Sequence, residues 1–261
     1  MYDRGQEKTR DRTLAMTVLI LLAVAATAAL SGIFGMAGGM ILIALLALLL
    51  PIPEAMVIHA VAQGFANGAR AGLLWRAIHW RGLGAYGAGV LLTVALVQWV
   101  AWFPSKGVLL MLLGATPFAA LAIPPRFALR FEHRLHSFCA GLLVTGGQLF
   151  AGASGPLLDS FFLRGARSRE ATVSTKGFAQ CLGHGAKLGV YGPLLWQHEP
   201  SNALSWPLLL ALGPVAIAGT AVGTRLLKHW SDAAFNRWSR RLVQGLGLIA
   251  MASGALILLS S

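Results

Sequence analysis

Charge is scarce in this 261-residue chain. Asp, Glu, Lys and Arg make up 11% of it, against about 25% in an average soluble domain. Acids are scarcer still: 9 Asp and Glu stand against 21 Lys and Arg, for a net charge of +12. There are two cysteines, Cys139 and Cys181, both in apolar stretches and without a CxxC or Cys/His cluster around them. That pattern excludes a disulfide framework, structural zinc and an iron–sulfur centre, and leaves two small buried hydrophobes. No cofactor and no metal are expected. No RNA- or DNA-binding motif accompanies the positive charge. The basic residues sit in short loops between apolar segments, as the positive-inside rule places them, so nucleic acid is not the expected partner.

What is present is apolar surface. The chain is 56% hydrophobic, and stretches near the ~20 residues needed to span a bilayer recur along its length. The expectation is an all-α, polytopic transmembrane helical bundle, surrounded by membrane lipid and without a sizeable soluble domain. The first apolar stretch, Leu14 to Leu30, exceeds the 7–15 residues of a secretory signal's apolar region, so it is expected to be retained as a helix.

Ten apolar segments follow one another, near 14–35, 37–51, 55–75, 83–103, 106–123, 137–153, 155–164, 170–191, 204–227 and 236–259. The basic, proline-containing stretch 124–136, "PPRFALRFEHRLH", divides them. Residues 1–13 read as a polar N-terminal tail, 14–123 as a first transmembrane repeat, 124–136 as a cytoplasmic linker and 137–261 as a second repeat. The repeat is visible in the residues. At an offset of 116, "SGIFGMAGGMIL" (31–42) falls on "GQLFAGASGPLL" (147–158). At an offset of 117, "HAVAQGFANGARAG" (59–72) falls on "KGFAQCLGHGAKLG" (176–189), matching Gln63 to Gln180 and Arg70 to Lys187.

Five crossings per half, an odd number, would invert one half relative to the other. With the N-terminus outside, the cytoplasmic loops hold Arg76, Arg81, Arg126, Arg130, Arg134, Arg164, Arg167, Arg169, Arg225, Lys228, Arg237, Arg240 and Arg241. The opposite side holds Arg4, Lys8, Arg10, Arg12 and Lys106. This split of thirteen to five obeys the positive-inside rule. A four-plus-four arrangement divides the same residues nine and nine. The expected architecture is therefore two five-segment inverted repeats, each with a short or broken glycine-rich second helix. Such repeats are a signature of secondary transporters.

The third segment of each half carries a polar stripe: His59, Gln63, Asn67 and Arg70 in the first, Lys176, Gln180, His184 and Lys187 in the second. The spacing i, i+4, i+8, i+11 confines each set to about 80° of a helix face. Basic residues at a helix centre in lipid cost about 2.5–3.5 kcal/mol, so the stripes should face protein or water. In inverted halves, Gln63 and Asn67 would face Gln180 and His184 near the midplane, with the cations toward the two ends. Arg70 and Lys187 lie near helix ends, where long side chains also snorkel, and Lys176 could reach the surface in the same way. His59 reads more readily as a packed histidine than as a ligand.

These stripes are rich in donors and poor in acids, which describes an anion site. Helix starts within the membrane would add free N–H groups and partial positive charge. The candidates are Gly38 and Gly39 in "GMAGG" and Ser154 and Gly155 in "GASGP". Glycine there permits tight turns and close approach, Pro156 suits a first helical turn, and Ser154 suits an N-cap. With Gln63, Asn67, Arg70, Lys176, Gln180, His184 and Lys187 they form the candidate substrate-binding set. Asp159 is the acid within the apolar core of the second half. It reads as a coupling site for a proton or cation, or as a salt-bridge partner of Lys176 or Lys187.

"GIFGMAGGMIL" followed by "PEAMVIHAVAQGFANGARAGLLWR", and "GASGPLL" followed by "SREATVSTKGFAQCLGHGAKLGVYG", together resemble the duplicated pattern of the TauE/SafE family of sulfite exporters. The resemblance covers roughly 20–260. It implies an inner-membrane, multi-pass carrier of small sulfur-containing anions such as sulfite or organosulfonates, driven by ion gradients and not an enzyme, with a homodimer on family grounds. Two other classes compete. "GASG" with His184 is similar to the serine and histidine of intramembrane rhomboid proteases, which would make Ser154 a nucleophile if His184 came within hydrogen-bond reach. A membrane scaffold without transport would instead have a dry interior lacking a polar cavity.

Overall fold

The computed structural model describes residues 3–34, 37–123, 130–162, 168–197, 204–227 and 232–260. Among the described residues there are ten α-helices and no strand: α1 (Asp3–Phe34), α2 (Ala37–Leu49), α3 (Ile52–Leu73), α4 (Leu83–Val100), α5 (Lys106–Ala122), α6 (Arg134–Phe150), α7 (Gly155–Ser160), α8 (Arg169–Tyr191), α9 (Trp206–Leu227) and α10 (Asp232–Ser260). The expected polar tail is helical from Asp3, as the first turns of α1. Residues 124–129 of the linker, with Arg126, and also Arg164, Arg167 and Lys228, lie outside the described residues.

Local sequence explains the boundaries. Pro51 precedes α3, and Pro53 sits in its first turn, where no N–H is needed. Ser105 accepts from the Val108 N–H at 3.4 Å and Ser168 from the Ala171 N–H at 3.2 Å, capping α5 and α8. Before α7 the chain turns at Gly152, whose φ of +77° favours glycine.

Among the described residues, four segments are long and apolar enough to cross a bilayer: Arg10–Gly32, Trp80–Val100, Trp206–Leu226 and Arg237–Ser260. α2, at 13 residues, spans roughly 20 Å, short of the ~30 Å hydrocarbon core. α7 has only six residues. Large apolar side chains cover the outside, among them Leu14, Leu22, Leu91, Leu210 and Leu256, all exposed. Exposed tryptophans mark the ends of helices: Trp75 and Trp80 between α3 and α4, Trp99 in the last turn of α4 and Trp102 just beyond it, Trp196 after α8 and Trp206 at the start of α9. A lipid-facing apolar belt edged with tryptophan is the surface of a multi-pass membrane protein.

Four helix pairs carry the packing. α1 lies along α9, with Gly219 against Ala25 and Ala28 and Gly223 against Ala29 and Gly32, so the two run in the same direction. α4 lies along α6 in the same direction, with Gly82 near Ser137, Gly89 against Phe138 and Gly141, and Thr93 bonded to the Leu142 carbonyl at 3.4 Å. α5 and α10 run oppositely: Gly107 faces Gly254 and Leu258, while Gly114 faces Gly247 and Met251. α3 and α8 also run oppositely: Gly64 faces His184, Gly68 faces Cys181, and Gly177 faces Asn67 and Ala71. Small residues at these crossings let backbones meet, which is how helices associate where lipid removes the hydrophobic drive.

A second cluster pins the end of the linker to α7. Phe131, fully buried, stacks on Phe162 with ring centroids 4.7 Å apart and packs on Tyr86. Its N–H donates to the Phe161 carbonyl at 3.1 Å. With α7 held there, α3 and α8 remain as the central pair, and their polar faces meet between the two short helices.

Candidate functional site

The cavity between these helices is lined by Gly39 of α2; His59, Gln63, Asn67 and Arg70 of α3; Gln148 of α6; Ala153, Ser154 and Gly155 at the start of α7; and Gln180 and His184 of α8. It encloses roughly 360 Å³, its open mouth included. Among the described residues, no Asp or Glu lines it.

The polar groups order one another. Asn67 donates its amide to the Gln63 backbone carbonyl at 2.9 Å, which leaves its Oδ1 to accept from Arg70 at 3.5 Å. The second terminal nitrogen of Arg70 is buried without a hydrogen-bond partner. Gln148 donates to Gln180 Oε1. Gly183, one turn along α8, makes room for that bond, because a Cβ there would overlap the Gln148 amide. His59 Nε2 lies 3.0 Å from the Gly39 carbonyl, and the His59 and His184 rings are 5.6 Å apart. The Nδ1 of His184 is buried and unpartnered. A guanidinium and a histidine thus keep free polar atoms in a wall that holds no opposing acid. Burying such a charge is costly unless an opposite charge joins it.

Of the residues singled out in the sequence, Gly39, Gln63, Asn67, Arg70, Ser154, Gly155, Gln180 and His184 come together in this wall. Gly38 does not: its Cα faces α1, against the Thr27 carbonyl and the Ser31 hydroxyl. Lys176 pairs with Asp159 away from the cavity, with side chains 23% and 42% exposed. Lys187 is fully buried behind His59, so it does not snorkel to a surface. Ser154 precedes α7 but makes no capping bond. Its hydroxyl donates to the Val144 carbonyl at 2.6 Å, so it is turned toward α6 rather than toward His184.

His59, Gln148 and Ala153 also line the wall but were not among the candidates. A signal existed for two of them. His59 opens the first stripe, and Gln148 is a lone amide in the apolar run "LLVTGGQLF", next to the repeated glycine motif.

No curated protein and no solved structure matches the chain significantly. The sequence profile of the family described as "Sulfite exporter TauE/SafE" matches residues 19–255, a span that reaches into every helix and takes in every residue of the cavity wall. The chain therefore belongs to the sulfite exporter TauE/SafE family.

Proposed function

We propose that the protein is a secondary transporter that exports a small sulfur-containing anion, such as sulfite or an organosulfonate, across the inner membrane, driven by an ion gradient. The observation that carries this reading is the cavity wall. It holds an incompletely partnered guanidinium, an unpartnered imidazole nitrogen and several amides, and no carboxylate among the described residues. Arg70 would supply charge, Gln63, Asn67, Gln148 and Gln180 orientation, and His184 a further hydrogen bond. The first-turn N–H groups of α2 and α7, near Gly39 and Gly155, would favour the same charge. A small oxyanion matches this set, because its oxygens accept from several directions at once.

Helix directions support the inverted-repeat reading. If α2 and α7 each reverse the chain, successive helices alternate, so α3 opposes α8, α5 opposes α10, α1 parallels α9 and α4 parallels α6. Those are the directions in which the four pairs pack. If α1 with α2, and α6 with α7, made single crossings, α3 and α8 would run the same way, and so would α5 and α10. The pairings also exchange when each helix of the first half is swapped with its counterpart five positions on, as expected of two halves rocking about a central site.

Asp159 is proposed as the coupling acid, with its pairing to Lys176 as the competing role. Flux through the Asp159→Asn protein that still follows a pH gradient would leave only the pairing. The transport reading is tested by uptake and efflux in proteoliposomes with sulfite, thiosulfate, sulfate and sulfoacetate. Movement of at least one sulfur anion by the protein above empty vesicles is expected, and movement of none would sink it.

A further inference from the structure

Lys187 is fully buried, yet it does not line the cavity. Its ammonium donates to the Gly152 carbonyl at 2.5 Å and to His59 Nδ1 at 3.1 Å. The Gly39 carbonyl beside His59 Nε2 accepts only, so the imidazole donates there and Nδ1 is left as an acceptor for the lysine. Both partners of the ammonium are therefore uncharged. A buried ammonium held by neutral acceptors lacks the opposite charge that would offset its desolvation. The unpartnered Nδ1 of His184 lies in the same neighbourhood.

The chain of contacts Gly152–Lys187–His59–Gly39 joins the turn before α7 to the first turn of α2. It ties together the two glycine-rich breaks, one from each half. Tyr191, one turn further along α8, adds a second tie by donating to the Leu149 carbonyl at 2.6 Å. Lys187 and Tyr191 together take up carbonyls at and just beyond the C-terminal end of α6, where free acceptors and negative dipole charge attract a cation. The tie holds a specific backbone shape: Gly152 has φ +77°, and Ile43 occupies the space its Cβ would need.

Because α3 and α8 run oppositely, Lys187 lies beside His59 at one end of the paired stripes, and Arg70 lies at the other end, toward Gly177. Arg70 reaches the cavity, and Lys187 closes the end away from it. We propose that Lys187 is a second anion station that doubles as a gate: a small anion moving on from Arg70 replaces the Gly152 carbonyl as partner of the ammonium, and the tie between α2 and α7 opens on that side. The proposal rests on the anion-transport reading above.

The test compares sulfite binding to the solubilised full-length protein with sulfite flux in proteoliposomes. Lys187→Gln is expected to move sulfite at least about tenfold more slowly than wild type, a larger fall than that in its binding, which Arg70 sustains. Lys187→Arg, which keeps the charge, is expected to recover part of the flux. Flux within about threefold of wild type in Lys187→Gln overturns the gate. So does an equal fall of binding, flux and ligand-free melting temperature in both variants, since that describes a packing residue. A measurement on the wild type avoids any folding defect: saturating sulfite is expected to speed hydrogen exchange at residues 151–155, and unchanged exchange there, with binding demonstrated, also overturns the gate. A wild type that neither binds nor moves any sulfur anion removes the transport reading itself, and the gate with it.

Discussion

Replacing Arg70 by Gln separates a binding charge from a structural one, because the two roles predict opposite signs. Among the described residues the guanidinium makes one hydrogen bond, to Asn67 Oδ1 at the long distance of 3.5 Å, and its other terminal nitrogen is buried and without a hydrogen-bond partner. Little internal bonding is lost on substitution, and a poorly compensated charge is removed from the interior. Ligand-free stability should therefore hold or rise. Binding should fall, because a hydrogen bond to a charged group contributes about 1.5–3 kcal/mol. At about 1.4 kcal/mol per tenfold, that is a Kd weaker by roughly 10- to 150-fold. Titration calorimetry with sulfite gives the Kd, and thermal unfolding without ligand gives the stability. Arg70→Lys keeps a point charge but loses the planar fork, so its Kd should fall between the two. A Kd for Arg70→Gln within about threefold of wild type would refute the anion site as drawn. So would a loss of binding matched by an equal loss of ligand-free stability.

Other substitutions probe different parts of the arrangement. Gly183→Ala places a methyl group in the space of the Gln148 amide, so it should break the Gln148–Gln180 bond, lower stability by about 1–3 kcal/mol and slow sulfite flux. Thermal melts and proteoliposome flux read both effects. Gly114→Leu drives a side chain into the Gly247 carbonyl and Met251 of α10, whereas nothing lies within 4 Å of a Cβ on Gly84. The first should lower the melting temperature sharply, and Gly84→Ala should leave it unchanged or raised, since alanine is the better helix former. Asp159→Asn breaks an ion pair whose side chains are 42% and 23% exposed, so its effect on unfolding should stay below about 1 kcal/mol. A larger loss would give that pair a structural weight its exposure does not predict.

The parts of this site that the sequence made legible are those that depend on periodicity within one helix. Gln63, Asn67 and Arg70 share a face of α3, and Gln180 and His184 share a face of α8, because 3.6 residues per turn leaves no other arrangement. A polar face among apolar neighbours has to point inward in a membrane, so the meeting of the two faces follows once both are helices. What periodicity does not carry is depth and backbone geometry. Lys187 is about one turn from the end of α8, a position from which a lysine ordinarily reaches an interface. It is sealed instead because residues 151–154 turn back beneath it and present the Gly152 carbonyl. Gly38 and Gly39 are adjacent and chemically identical, yet one packs on Thr27 and the other offers its carbonyl to His59. The 100° between neighbours on a helix separates them, and only the position of α1 decides which of the two faces the cavity. Ser154 carries the same lesson: its place before α7 suggests a cap, yet its hydroxyl is turned to α6, where it donates to the Val144 carbonyl, and makes no capping bond. Tertiary contacts that recruit backbone carbonyls leave no residue-type signature, and in this protein they decide which polar groups remain free for an anion.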